Sequence, residues 1–310
     1  MTGFYDLCLP AAAGIMNNKV ISWSIFVLLC FIWGSSFILM KVSQKGLNAP
    51  QIAALRIFSA ALVFLPFAFF HITKLPRRKM GLIFLAGFFG NLFPAFCFAF
   101  AILKIDSSLA GILNSLTPIC VATIGISFFK DKIKTQKLIG VLVGFAGLCL
   151  LTFTQKDISF DNLGYALLVI AGTLSYGINV NLVSHHLKEV NPIHLATVSL
   201  GFMAIPAGLI LWQQGFTGLD FTDTVIQWAI INSSLLGIVA SAFATLIFYM
   251  LVQKAGGLFA SLVTYGIPFI ALFWGFMDGE SITFIEIISL GIILLGVYLA
   301  NRPEKKETGN

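Results

Sequence analysis

Residues 104–125 read KIDSSLAGILNSLTPICVATIG, and residues 254–275 read KAGGLFASLVTYGIPFIALFWG. Laid over each other, the two stretches share Lys104/Lys254, Ala110/Ala260, Pro118/Pro268 and Gly125/Gly275. The match extends upstream through Leu85/Leu235, Gly87/Gly237, Phe93/Phe243 and Phe98/Phe248. Leucine and phenylalanine coincide cheaply between apolar sequences, but a lysine at the edge of an apolar run and a proline inside one do not. Asp131/Glu280 and Gly147/Gly296 continue the alignment after a single-residue gap, so the chain reads as a duplication.

Composition says what kind of unit is duplicated. Apolar residues make up 58% of the 310 positions and charged residues 10%, where soluble domains carry about 25% charged. Apolar stretches long enough to cross a bilayer as helix recur along the chain with short polar gaps. They predict spans over 20–42, 50–70, 82–103, 107–129, 136–154, 162–184, 192–213, 226–252, 257–277 and 283–300. Each copy then holds five spans, and an odd number of crossings inserts the second copy upside down. The expected fold is an all-α membrane protein of ten transmembrane helices, two inverted five-helix repeats around a central cavity. The repeats are expected over 20–155 and 160–301, after a disordered cytoplasmic extension, 1–19, and before a cytoplasmic tail, 302–310. Met16-Asn17-Asn18-Lys19 would make a conventional start, which leaves residues 1–15 as an upstream extension or a disordered segment.

The net charge of +6 and pI of about 9.1 raise the question of nucleic acid, and the placement of the basic residues answers it. One set of alternate loops holds Lys19, then Lys74, Arg77, Arg78 and Lys79, then Lys130, Lys132, Lys134 and Lys137, then Lys188, Lys254, Arg302, Lys305 and Lys306. The other set holds only Lys41, Lys45, Lys104 and Lys156. This is the positive-inside pattern, so the charge is topological, both termini are expected in the cytoplasm of a bacterial cell with the chain in its inner membrane, and no nucleic acid partner is expected.

Five cysteines, Cys8, Cys30, Cys97, Cys120 and Cys149, lie singly, with no disulfide or zinc spacing. No cofactor and no metal are expected. An intramembrane enzyme or a channel is the alternative class, yet there is no His-Glu-x-x-His, no Gly-x-Ser-x-Gly and no charge ring, and His185 and His186 read as solvated loop residues. Inverted repeats are instead a transporter architecture, because two halves of similar energy can exchange conformations around one site.

Trp33-Gly34-Ser35-Ser36-Phe37, Leu55-Arg56, Leu116-Thr117-Pro118, the glycine-spaced span after Asp131, Gly266-Ile267-Pro268 and Gly279-Glu280 together resemble the drug/metabolite transporter superfamily, EamA type, across about residues 20–301. The first half departs from the acidic turn by carrying Lys130-Asp131. The resemblance implies a ten-helix basket that exports or exchanges amino acids or other metabolites by alternating access, driven without ATP and without catalysis. The expected partners are a small-molecule substrate and the lipid bilayer, with a monomer as the functional unit and a homodimer as the alternative.

The expected site lies at mid-bilayer depth. Pro118 and Pro268 each fall about 16 Å along their spans at 1.5 Å per residue, and both are candidate hinges. Proline displaces the carbonyl four residues earlier, those of Asn114 and Thr264, which then either face a solute or are satisfied by neighbouring side chains. Mid-span polar residues are costly unless they face protein or water, which singles out Asn91, Asn114, Thr117, Asn179, Asn181, Asn232 and Ser241, each a cavity residue or an interhelical hydrogen bond. Trp33, Tyr176 and Tyr265 lie well inside spans and read as cavity lining, gate or ordinary packing. Arg56, about 9 Å past Pro50 by helical rise, is either a clamp for a carboxylate or phosphate, or a side chain that snorkels to the outer headgroups or ties down backbone carbonyls; its shallow depth favours the second. The candidate substrate-binding set is Trp33, Arg56, Asn91, Asn114, Thr117, Tyr176, Asn179, Ser241, Thr264 and Tyr265. No Asp or Glu lies deep in a span, and Gly140-x-x-x-Gly144-x-x-Gly147 reads as a close helix contact within the chain.

Overall fold

A computed structural model describes residues 18–105, 107–153, 163–277 and 283–301. Most of the expected N-terminal extension, the tail 302–310 and the Gly279-Glu280 turn lie outside them. In chain order the helices are α1 (Asn18–Ser43), α2 (Ala49–Ile72), α3 (Met80–Gly87) and α4 (Phe93–Ala101), α5 (Ser107–Asn114) and α6 (Thr117–Phe129), and α7 (Thr135–Phe153). They continue as α8 (Leu163–His186), α9 (Pro192–Gln213), α10 (Thr224–Leu235) and α11 (Ala244–Ala255), α12 (Gly257–Ser261) and α13 (Val263–Met277), and α14 (Phe284–Asn301). Among the described residues eight runs are long and apolar enough to cross a membrane, and Thr117–Phe129 and Thr135–Leu151 are shorter apolar helices. Large apolar side chains such as Phe70, Phe128 and Ile205 stand more than 70% exposed, a surface that suits hydrocarbon rather than water.

Local chemistry sets the helix ends. Asn48 opens α2 with a reciprocal cap, its Oδ1 accepting from the Gln51 amide at 2.8 Å while its own amide donates to Gln51 Oε1 at 3.0 Å. Asn191 opens α9 by accepting from the Ile193 amide at 2.9 Å. Proline follows each cap within the first helical turn, where a missing N–H costs nothing. α6 ends at Lys130, which takes a left-handed conformation (φ 56°) and returns its amide to the Gly125 carbonyl.

Two helical rods are wound loosely at their middles. Phe88–Leu92, between α3 and α4, and Leu236–Phe243, between α10 and α11, are π-helical. They occupy corresponding positions in the duplicated alignment, one holding Asn91 and the other Ser241. A π turn misaligns backbone groups that an α turn would pair, and such turns collect at functional sites.

The most extensive helix pairings are α7 with α14 and α2 with α9. In the first the backbones touch: a Cβ on Gly296 would fall on the backbone N and Cα of Gly144 and 2.7 Å from the Gly140 carbonyl oxygen. The glycine stripe therefore serves packing within the chain, where bare backbones allow a close crossing that larger side chains forbid. α1 packs on α13, α11 and α10, and α8 on α4, α6 and α5.

Candidate functional site

Between these helices lies a cavity in which the centre of a water molecule has about 90 Å³ to move. Its walls come from both ends of the chain: Trp33, Ser36 and Met40 from α1, Arg56 from α2, Asn91 beside α4, and Asn114 and Thr117 flanking the α5–α6 break. Tyr176 and Asn179 from α8, Thr245, Phe248 and Tyr249 from α11, and Ser261 and Thr264 from α12 and α13 complete them.

The loosened turn Leu236–Phe243 anchors two side chains. Trp33 Nε1 donates to the Ala240 carbonyl at 3.0 Å, and Arg56 Nε donates to Ser241 Oγ at 2.8 Å. Arg56 reaches that turn because Gly237 has no side chain; a Cβ there would fall on Ser59 Oγ and the Arg56 carbonyl oxygen. Arg56 thus lines the cavity instead of snorkelling to the outer headgroups. Depth along a helix is readable in sequence, but the direction a side chain faces is set by what packs beside it. Among the described residues no carboxylate comes within ion-pair distance of Arg56, the ion pairs being Lys79–Glu189 and His185–Asp131.

Asn91 in the first π segment accepts from Thr245 Oγ1 at 2.8 Å, while its buried Nδ2 lies toward the Tyr249 hydroxyl without a well-aligned hydrogen bond. Asn179 Oδ1 is likewise buried and unpartnered. Gly90 makes room for it, since a Cβ at that position would sit 2.7 Å from Asn179 Cγ. Buried amide atoms are almost always satisfied, and these two belong to residues that line the cavity.

The carbonyls displaced by the prolines are taken up internally. Thr117 Oγ1 donates to the Asn114 carbonyl at 2.5 Å, and Ser115 Oγ to the Thr264 carbonyl at 3.4 Å. Pro118 stands in the first turn of α6, just after the break, and Pro268 lies inside α13. Tyr265 turns away from the cavity: it is fully buried, its hydroxyl donates to the Val141 carbonyl at 2.8 Å, and its ring covers Gly144. Ser241 stands behind the wall, holding Arg56. Asn181 bridges to the Val121 carbonyl of α6 at 3.0 Å and Asn232 bonds the Trp228 carbonyl in its own helix at 2.7 Å. The sequence reading missed Thr245 and Tyr249, although they fall four residues apart on one helical face.

A second, wider opening lies at the end of the bundle where α1 begins and α14 ends, with about 780 Å³ for a water centre. Lys19, Lys137, Lys254, Asp131, His185 and Asn301 line it. His185 is not the free loop residue its position suggests. Its Nε2 meets Asp131 Oδ1 at 2.9 Å, its Nδ1 meets the Asn181 carbonyl at 2.9 Å, and its ring stacks on Phe129 at 4.3 Å. The left-handed turn at Lys130 brings Asp131 back over Gly125, beside the end of α8. Among the described residues no group of three or more His, Cys, Asp or Glu side chains is placed to hold a metal ion.

The model of the EamA-like transporter family matches residues 21–153 and again 163–302. The chain belongs to the EamA-like transporter family. An uncharacterized transporter of Archaeoglobus fulgidus is 25% identical over 281 residues, covering 90% of this chain and 98% of the relative. The uncharacterized transporter YoaV of Bacillus subtilis is 24% identical, covering 86% and 92%. The uncharacterized inner membrane transporter YedA of Escherichia coli K12 is 23% identical, covering 87% of each chain. A solved crystal structure shares the fold with a TM-score of 0.68 at 15% identity, over 92% of this chain and 96% of that one. As an EamA protein the chain is a multi-pass membrane transporter, in a family that is not generally enzymatic.

Proposed function

We propose that this EamA protein is a secondary transporter that carries small polar metabolites, amino acids or related compounds, across a bacterial inner membrane by alternating access, with the central cavity as its substrate site. The observation that carries the reading is the set of polar side chains, Arg56, Asn91, Asn114, Thr117 and Asn179, that line one cavity in a membrane chain. Polar groups at membrane depth are tolerated where they face protein or water, and these gather around the cavity.

In this reading α5 with α6 forms the fourth crossing and α7 the fifth, giving two inverted five-helix repeats over 20–155 and 160–301. Support comes from the packing: α2 and α9 are corresponding helices, and so are α7 and α14, and a two-fold axis in the membrane plane brings such helices against their own copies. The paired π segments support it as well. Residues 1–19 and 302–310 are cytoplasmic, following the basic loops. One chain encloses the cavity, so the working unit is a monomer.

The test is counterflow into proteoliposomes, with internal amino acids and polar metabolites exchanged against isotope-labelled external ones and read by mass spectrometry. Saturable exchange of a restricted set is expected. An unsaturable conductance, which marks a channel, or chemical conversion of the solutes would overturn the reading.

A further inference from the structure

We propose that the transported solute carries a carboxylate or phosphate group that binds Arg56 in the central cavity. The proposal rests on the cavity being the substrate site.

A guanidinium presents five N–H donors. Among the described residues Arg56 uses one of them, Nε–H to Ser241 Oγ, and no carboxylate neutralises it. An ionised group within a bilayer normally pairs or faces water. Here the charge lines the cavity, and the planar fork of terminal N–H groups that matches a carboxylate or phosphate is left for a ligand. Asn91, Asn114, Thr117 and Asn179 add neutral polar side chains to the same lining, which suits an anion with a hydroxyl or ammonium elsewhere on its frame. Trp33, Phe98, Tyr176 and Phe248 supply aromatic surface for an apolar body.

A purely structural role for Arg56 would require only the bond to Ser241, which an uncharged donor reproduces. Charge, rather than hydrogen bonding, is therefore the property to test.

Purified protein is titrated at constant ionic strength with benzoate and phenyl phosphate, and with benzamide as the neutral partner, following thermal unfolding. One anion or both should raise the melting temperature of the wild type while benzamide does not; which anion acts distinguishes a carboxylate from a phosphate site. Arg56→Gln should weaken that anion by roughly tenfold to a hundredfold, the worth of a charged hydrogen bond, and Arg56→Lys should keep part of it. If the variants fold poorly, phenylglyoxal labelling of the wild type replaces them, with the stabilising anion expected to shield Arg56 in peptide mass spectra. Stabilisation by neither anion, equal stabilisation by benzamide, or an unchanged response in Arg56→Gln would overturn the proposal. Arg56-dependent anion binding without counterflow of any solute would overturn the transport reading alone. Counterflow of neutral solutes untouched by Arg56→Gln would keep transport and remove the anion site.

Discussion

Gly296→Ala adds one methyl group where α7 and α14 cross. The new carbon would fall on the backbone of Gly144 and 2.7 Å from the Gly140 carbonyl oxygen, whereas carbon atoms rest comfortably at about 3.5–4.0 Å. Backbone cannot rotate aside as a side chain does, so the helices must part by about 1 Å, and a gap of that size forfeits a quarter to a half of each contact's attraction. Overpacking of this kind costs about 1–3 kcal/mol. Gly291 lies on the same helix, and a Cβ there meets nothing within 4 Å, so Gly291→Ala should only gain helix propensity, about 0.5–1 kcal/mol. The two alanine variants should therefore differ by about 1.5–4 kcal/mol in reversible unfolding by sodium dodecyl sulfate in mixed micelles, followed by circular dichroism. Equal stability would refute the claim that α7 and α14 meet backbone to backbone.

Lys130→Gly should stabilise the fold by about 1 kcal/mol, because Lys130 holds a left-handed conformation that costs a side-chain-bearing residue that much; loss of stability in the same unfolding assay would contradict the turn. Tyr265→Phe removes a buried bond to the Val141 carbonyl and should cost about 1 kcal/mol while leaving the KM for counterflow unchanged, since the ring faces away from the cavity. Trp33→Phe strips the Ala240 carbonyl of its donor and should cost about 1–3 kcal/mol, with a changed KM as the sign that the indole also lines the solute path. The Thr222 hydroxyl, and after it the Thr222 amide, hold the exposed Asp220 carboxyl below its ordinary range by bonding its ionised form. Thr222→Val should move that titration upward in carboxyl-labelled nuclear magnetic resonance, and an unmoved titration would remove the hydroxyl as the cause.

Much of the frame was legible because lipid leaves few choices. The run predicted over 50–70 is the helix Ala49–Ile72, and the run over 192–213 is Pro192–Gln213, each opened by an asparagine and a proline that sequence displays directly. Asn91, Asn114, Thr117 and Asn179, singled out as polar residues inside apolar runs, meet around one cavity. Facing was not legible. Tyr265 and Thr264 are adjacent at the same depth, yet one bonds α7 and the other lines the cavity; only the rotation of the helix separates them. The π turns were invisible because no residue type demands them, and Arg56 was misjudged because the gap at Gly237 that admits it belongs to another helix.

The loosened turns at Phe88–Leu92 and Leu236–Phe243 carry an evolutionary corollary. Such a turn closes its hydrogen bonds one residue further along than an ordinary one, so it accommodates a surplus residue without interrupting the rod. Deleting a single codon there would tighten the turn to an ordinary one and leave the side chains beyond it facing as before, whereas the same deletion in a regular stretch would swing them by about 100°. Thr245 and Tyr249 would keep their places on the wall while the groups within the turn were re-aimed. A lineage could in this way exchange the groups on the turn itself in a single genetic step, keeping the scaffold that holds the rest.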